Sequence, residues 1–292
     1  MPRALVSTGM ELEYETFGSP DDEALLLVMG FTAQLTAWDE AFCRLLAGGG
    51  RHVIRFDNRD SGLSTKLDGV EVDLGAVMGA VLSGQPAPPT PYSLSDMAAD
   101  AVGLLDHLGI ERAHVVGASM GGMIAQTMAI EHPDRVRSLT SIMSQPGDLS
   151  VGNPTPEAAA VLMTPPPTTR DEYVAASPRW MVWHSVRHRD EERTRATAAA
   201  SFDRSFYPEG APRQLAAIYA SGDRSERLRL LDVPTLVVHG RDDTLITPSG
   251  GTRTAELVPG AHLLLVADMG HDLPEPLWPF LTDTILSHTR NA

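Results

Sequence analysis

Apolar residues along this chain follow two alternating rhythms: short continuous runs of strand length, and stripes at helical spacing. The run Ala24-Leu25-Leu26-Leu27-Val28-Met29 is apolar throughout, the pattern of a strand covered on both faces. Ahead of it, Arg3 to Ser7 and Glu11 to Phe17 flank Thr8-Gly9, a hairpin turn. Glu11-Leu12-Glu13-Tyr14-Glu15 alternates strictly, so one face of that strand is wet. Gly30-Phe31-Thr32 ends the apolar run, and Trp38 to Leu46 reads as a helix stopped by Gly48-Gly49-Gly50. His52 to Phe56 is the next strand and runs into the polar loop Asp57 to Ser64. From about Ser95 a stripe of Met97, Ala98, Ala101, Val102, Leu104, Leu105 and Leu108 predicts a helix, closed by Gly109. His114-Val115-Val116 is a strand, followed by a helix ending near His132-Pro133. Ser138 to Met143, Pro234 to His239 and His262 to Ala267 supply further strands. Alternating strands and helices predict an α/β fold with a doubly wound, mainly parallel sheet. Its ligand site is expected at the carboxyl ends of the strands.

Two stretches break the rhythm. Leu67 to Thr90 is too long for a plain connection, so it either packs as a short lid helix or is mobile. Gln145 to about Ser225 carries the tract Pro165-Pro166-Pro167, the cluster Trp180-Met181-Val182-Trp183 and a charged run from Arg187 to Arg195. It reads as a mostly helical cap over 145–225, inserted into a core domain made of 1–144 and 226–292. The Trp/Met cluster serves as the cap's own core or as an apolar wall of the substrate pocket, and both hold if different side chains take each part.

The charge narrows the partners. A formal net charge of −15, with no Lys/Arg cluster to track phosphates, argues against a nucleic-acid partner. No apolar run approaches the roughly 18 residues that span a bilayer, and no signal-peptide core follows Met1-Pro2-Arg3, so a cytoplasmic protein without a membrane partner is expected. The single cysteine, Cys43, lies between Phe42 and Leu45 in a predicted helix and reads as a buried structural thiol. With no H-x-x-x-H and one cysteine, no metal site is expected. No phosphate loop or dinucleotide fingerprint is present, so no cofactor is implied.

The candidate chemistry centres on Gly117-Ala118-Ser119-Met120-Gly121, between a strand and a helix. A serine at such an apex sits in a strained turn that lifts its hydroxyl clear of the sheet, at a helix N-terminus whose N–H groups stabilise a developing anion. A serine hydroxyl needs a base, and the base needs an orienting acid. Among ten histidines, His114, His239 and His262 lie in or beside strands, where a packed, hydrogen-bonded imidazole is expected. His52, His107, His132 and His288 fit surface or helix-end positions, and His184 and His188 fall in the cap. His271 is different: it stands in Asp268-Met269-Gly270-His271, on a loop just past the final strand. Asp242 and Asp243 follow the preceding strand, so Ser, Asp and His occur in hydrolase order, each at the end of a different strand.

The segments Leu26 to Gly30, Arg55 to Ser64, Gly117 to Gly121 and Met269-Gly270-His271 are similar to those of α/β-hydrolases. Within that superfamily they resemble the esterase branch containing the aclacinomycin methylesterases, which remove a methyl ester from polyketide antibiotics. The resemblance covers essentially the whole chain, departing at Leu67 to Thr90 and in the cap. It implies Ser119 as nucleophile, His271 as base and Asp243 as the orienting acid. Adjacent side chains in an extended turn diverge, so Asp242 is expected to face solvent and pair with Arg241. The resemblance also implies an oxyanion hole from the N–H groups of Phe31 and Met120. Gly30, Trp180, Met181 and Trp183 are the candidate substrate contacts. Arg59 and Asp60 are expected to fix the Asp57 to Ser64 loop through hydrogen bonds. The activity implied is hydrolysis of a small to medium apolar carboxylic ester through an acyl-enzyme, by a monomer or homodimer. Enol-lactone or C–C bond hydrolysis, perhydrolysis, and a non-catalytic ligand-binding role are the alternatives on the same scaffold.

Overall fold

The computed structural model describes residues 2–292. Its strands are β1 (Arg3–Leu5), β2 (Glu11–Phe17), β3 (Glu23–Val28), β4 (Arg51–Phe56), β5 (Ala113–Ala118), β6 (Val136–Ile142), β7 (Thr235–Gly240) and β8 (His262–Val266). They form one eight-stranded sheet in the order β1-β2-β4-β3-β5-β6-β7-β8. β1 and β2 make the antiparallel hairpin, with Leu5 opposite Glu11 and Gly9 turning at φ 84. β2 is antiparallel to β4, and every later pairing is parallel. The chain therefore steps from β3 to β4 on one side and then to β5 on the other. That reversal opens a crevice beyond the carboxyl ends of β3 and β5, where doubly wound sheets bind ligands.

The helices are α1 (Glu40–Gly48), α2 (Leu74–Leu82), α3 (Leu94–His107), α4 (Met120–Glu131), α5 (Pro156–Leu162), α6 (Arg170–Ala176), α7 (Glu191–Arg204), α8 (Gly210–Ala220), α9 (Ser225–Leu228), α10 (Ser249–Leu257) and α11 (Trp278–Arg290). Their starts are written in the sequence: Asp39, Asp190 and Ser93 cap α1, α7 and α3 with side-chain oxygens, and Ser93 forms a capping box with Asp96. Alternate residues of β3 serve two cores. Leu25 and Leu27 pack with Phe42, Leu46 and Ile285 beneath α1 and α11, while Leu26 and Val28 pack with Met97, Leu104 and Ile124 beneath α3 and α4. Cys43 is buried on the inner face of α1, as expected, and burial pushes its thiol up to about 12.

Residues 145–225 leave the sheet after β6 and hold α5 to α8, together with a 3₁₀ stretch at Ser177–Val182. Tyr173, Trp180, Phe202 and Phe206 form the aromatic centre of this insert, with Phe202 and Phe206 stacked at 4.4 Å. The stretch from Leu67 to Thr90 holds α2, which packs against α8. Two expectations are corrected. His262 is exposed rather than packed, because β8 is the outer strand of the sheet. His52 is buried in β4 rather than at the surface, and burial lowers its pKa. Among the described residues no helix is long and apolar enough to cross a membrane.

Candidate active site

Ser119 joins β5 to α4 with φ 57 and ψ −123, a region that costs a non-glycine residue about 1–3 kcal/mol. Hydrogen bonds hold it there. Its N–H donates to the Ile142 carbonyl at 2.9 Å, and its own carbonyl accepts from the Gly122 N–H at 2.9 Å. The glycines of the motif are required by space. A Cβ on Gly117 would overlap the Gly121 carbonyl, and one on Gly121 would overlap the Val28 carbonyl, so α4 sits backbone to backbone against β3 and β5.

His271 arrives from the loop after β8. Its N–H donates to the Trp183 carbonyl at 2.6 Å, and a Cβ on Gly270 would collide with the Trp183–Ser185 backbone, so the insert braces this loop from outside. The imidazole lies between the other two residues. Nε2 is 2.9 Å from Ser119 Oγ, and Nδ1 is 2.7 Å from Asp243 Oδ2. Asp243, buried in the turn after β7, accepts on Oδ1 from the Leu245 and Ile246 N–H groups, both at 2.9 Å. Burial alone would raise its pKa. The charges and hydrogen bonds of His271 and His239 outweigh burial and hold the carboxyl below the usual carboxylate range. An ionised Asp243 fixes the proton of His271 on Nδ1, which leaves Nε2 free to accept from the serine hydroxyl.

Asp242 takes a different place from the one expected. It is half-buried, and its Oδ2 lies 3.5 Å from the Val186 N–H of the insert instead of beside Arg241. Two further residues flank the site. His239 Nε2 donates to the Ile246 carbonyl at 2.7 Å and lies 3.4 Å from Asp243 Oδ2, so a second buried imidazole backs the acid. Asp272, whose pKa burial raises, accepts from Ser185 N–H at 2.9 Å and Gly270 N–H at 3.1 Å. Its position directly after His271 was the only available signal.

At the end of β3, a Cβ on Gly30 would stand 3.0 Å from the Ser119 Cβ, so that backbone passes directly beside the serine. Phe31 is half-buried and Met120 is buried, and neither backbone N–H has a hydrogen-bond partner among the described residues. Trp183 meets His271 through its carbonyl, whereas Trp180 edges onto Tyr173 at 5.2 Å in the centre of the insert. Met181 is half-buried on the same 3₁₀ stretch. The Asp57 to Ser64 loop closes on the Asp57 carboxylate, which accepts from Leu35 N–H at 2.6 Å and Leu63 N–H at 2.8 Å. Arg59 and Asp60 tie that loop outward, to Asp100 of α3 and to Arg213 of α8. Among the described residues no group of three or more His, Cys, Asp or Glu could hold a metal ion. A groove of about 540 Å³ between Arg112, Val136 and Pro234 lies at the opposite, amino-terminal edge of the strands and has no part in this arrangement.

Residues 23–275 match the family model described as alpha/beta hydrolase fold. The chain is 26% identical over 317 residues to the rhodomycin D methylesterase DauP of Streptomyces sp. strain C5, covering 99% of this chain and 98% of that protein. It is 29% identical over 273 residues to the putative carbamate hydrolase RutD of Variovorax paradoxus strain S110, covering 90% of each. The enol-lactonase from Burkholderia xenovorans LB400 superimposes with a TM-score of 0.75 at 23% identity, covering 99% of this chain and 100% of that one. At that identity the likeness is one of fold.

Proposed function

The chain belongs to the α/β hydrolase fold family, and from that premise we propose that it is a serine hydrolase of carboxylic esters. The observation that carries the reading is the unbroken path from Ser119 Oγ to His271 Nε2 at 2.9 Å and from His271 Nδ1 to Asp243 at 2.7 Å. Ser119 attacks the ester carbonyl while His271 takes its proton, and Asp243 stabilises the imidazolium that forms. The carbonyl oxygen becomes an oxyanion facing the Phe31 and Met120 N–H groups, each such donor being worth roughly 3 kcal/mol in the transition state. His271 then returns the proton to the departing alcohol. Water, activated by the same imidazole, attacks the acyl-enzyme carbonyl and releases the acid and Ser119. Phe31, Met181 and Trp183, all half-buried, favour a small to medium apolar substrate, and residues 145–225 act as the cap over it. The likeness to a methylesterase supports an ester with a small alcohol group.

The test combines turnover with labelling. Aryl esters of short acids should be hydrolysed, and a fluorophosphonate should add once, to the peptide carrying Ser119, with both lost in Ser119→Ala. Absence of turnover, or a label on Ser61 or Ser64, would remove the assignment.

A further inference from the structure

The residue after Phe31 is under constraint. Thr32 holds φ 55, in the left-handed region that a β-branched residue seldom occupies. Its N–H donates to Gln214 Oε1 at 2.8 Å, and Gln214 Nε2 donates to the Arg59 carbonyl at 2.9 Å. Gln214 is fully buried on α8, far from Thr32 in sequence. Its neighbour Arg213 pins the same helix to Asp60 with hydrogen bonds of 2.7 and 2.9 Å. Other points of the loop after β3 are held from both sides: Asn58 Nδ2 donates to the Met29 carbonyl at 2.8 Å, Ser61 Oγ donates to the Ala33 carbonyl at 2.9 Å, and Gln34 Nε2 donates to the Ser201 and Ser205 carbonyls of the insert at 2.7 and 2.8 Å. The strained peptide beside Phe31 is thus gripped by the insert.

We propose that Gln214 is a positioning residue for the oxyanion donor: by fixing the Thr32 N–H it holds the preceding peptide so that the Phe31 N–H faces the reacting oxygen. The inference rests on the acyl-transfer reading above. Without the amide, Thr32 N–H and the Arg59 carbonyl lose their partners, and Thr32 relaxes toward negative φ with a backbone shift that carries through Phe31 to the Gly30–Phe31 peptide, which bears the donor. A donor turned away from the oxyanion is missed in the transition state and hardly at all in the ground state. The loss therefore falls on kcat and not on KM. Docking of α8 and competence of the oxyanion site become one event.

Steady-state kinetics on an aryl ester test this with Gln214→Met, which keeps volume without a donor or a strong acceptor. The expected result is a kcat lowered roughly 10- to 100-fold with KM changed less than about threefold. Arg193→Ala is the control, since Arg193 ties the insert to Asp39 at the start of α1, to Glu275 and to the Trp278 ring rather than to Phe31 or Thr32. It should lower Tm while leaving kcat within about threefold. A Gln214→Met kcat within about twofold of wild type, or an equal kcat loss in Arg193→Ala, overturns the proposal. If Gln214→Met does not fold, Gln214→Asn, one methylene short, should show the same kcat loss in milder form. Amide exchange on the wild-type protein adds an independent readout, and a Thr32 N–H exchanging as fast as a free amide also overturns it. Wild-type turnover and phosphonate labelling of Ser119, run alongside, report on the acyl-transfer reading by itself.

Discussion

Asp242 and Asp243 share a turn but not an environment. Asp243 is 2% exposed and uses both carboxylate oxygens, one toward two backbone N–H groups and one toward His271. Asp242 reaches one insert N–H at 3.5 Å, the limit of a hydrogen bond. An amide at 243 still satisfies the Leu245 and Ile246 N–H groups, but it no longer compels the proton of His271 onto Nδ1. The wrong tautomer then faces Ser119. Asp243→Asn is accordingly expected to lower kcat by roughly 10³- to 10⁴-fold, and Asp242→Asn by less than about tenfold. Kinetics with melting curves for both variants decide the matter, and the reverse ranking would transfer the orienting role to Asp242.

The strand–turn–helix element at β5 and α4 makes a sharper demand on space than on chemistry. Since a Cβ on Gly121 meets the Val28 carbonyl of a central strand, Gly121→Ala has no flexible side chain to displace. α4 must move off β3, so Tm should fall by several degrees at least and the phosphonate reaction at Ser119 should slow with it. An unchanged Tm would contradict the close approach. Such constraints explain what the sequence makes legible. The glycines of Gly117 to Gly121, the apolar run of β3 and the acidic and histidine loops after β7 and β8 are local signals, and each fixes its own stretch of chain. Strand order is not local. Leu263-Leu264-Leu265 looks like the buried run of β3, yet β8 is an outer strand with Leu263 39% and Leu265 43% exposed, and His262 is exposed with them. Gln214 and Arg213 carry no signal of their own. Their partners Thr32, Arg59 and Asp60 lie far back in the chain, and only the path of the insert brings them together.

For the whole molecule, acid stability sets two effects against each other. Falling pH relieves the mutual repulsion behind a formal charge of −15, but ordinary carboxylates take up protons mainly below about pH 4.5. Between there and neutrality the histidines dominate. Burial, with Arg51 adding to it, lowers His114 to about 4, and burial together with His271 lowers His184 to about 4. His52 and His288 are lowered too, chiefly by burial. In the unfolded chain an imidazole takes a proton near pH 6.5, so between about 6.5 and 4 the unfolded state binds more protons than the folded one. Stability therefore falls as pH drops through that window, with His114, which is 1% exposed, among the contributors. His114 Nδ1 bonds to Ser138 Oγ at 2.8 Å, a contact that an asparagine amide can replace in part, and its Nε2 lies 3.6 Å from Glu23 Oε2, which opposes the lowering without overcoming it. Urea midpoints measured at pH 7, 6, 5 and 4.5 should decline steadily in the wild-type protein. His114→Asn should start lower at pH 7 and decline less. Parallel slopes for the two proteins would mean that His114 gains its proton as readily in the folded state as in the unfolded one, and midpoints rising toward pH 4.5 would mean that relief of charge repulsion outweighs the buried imidazoles.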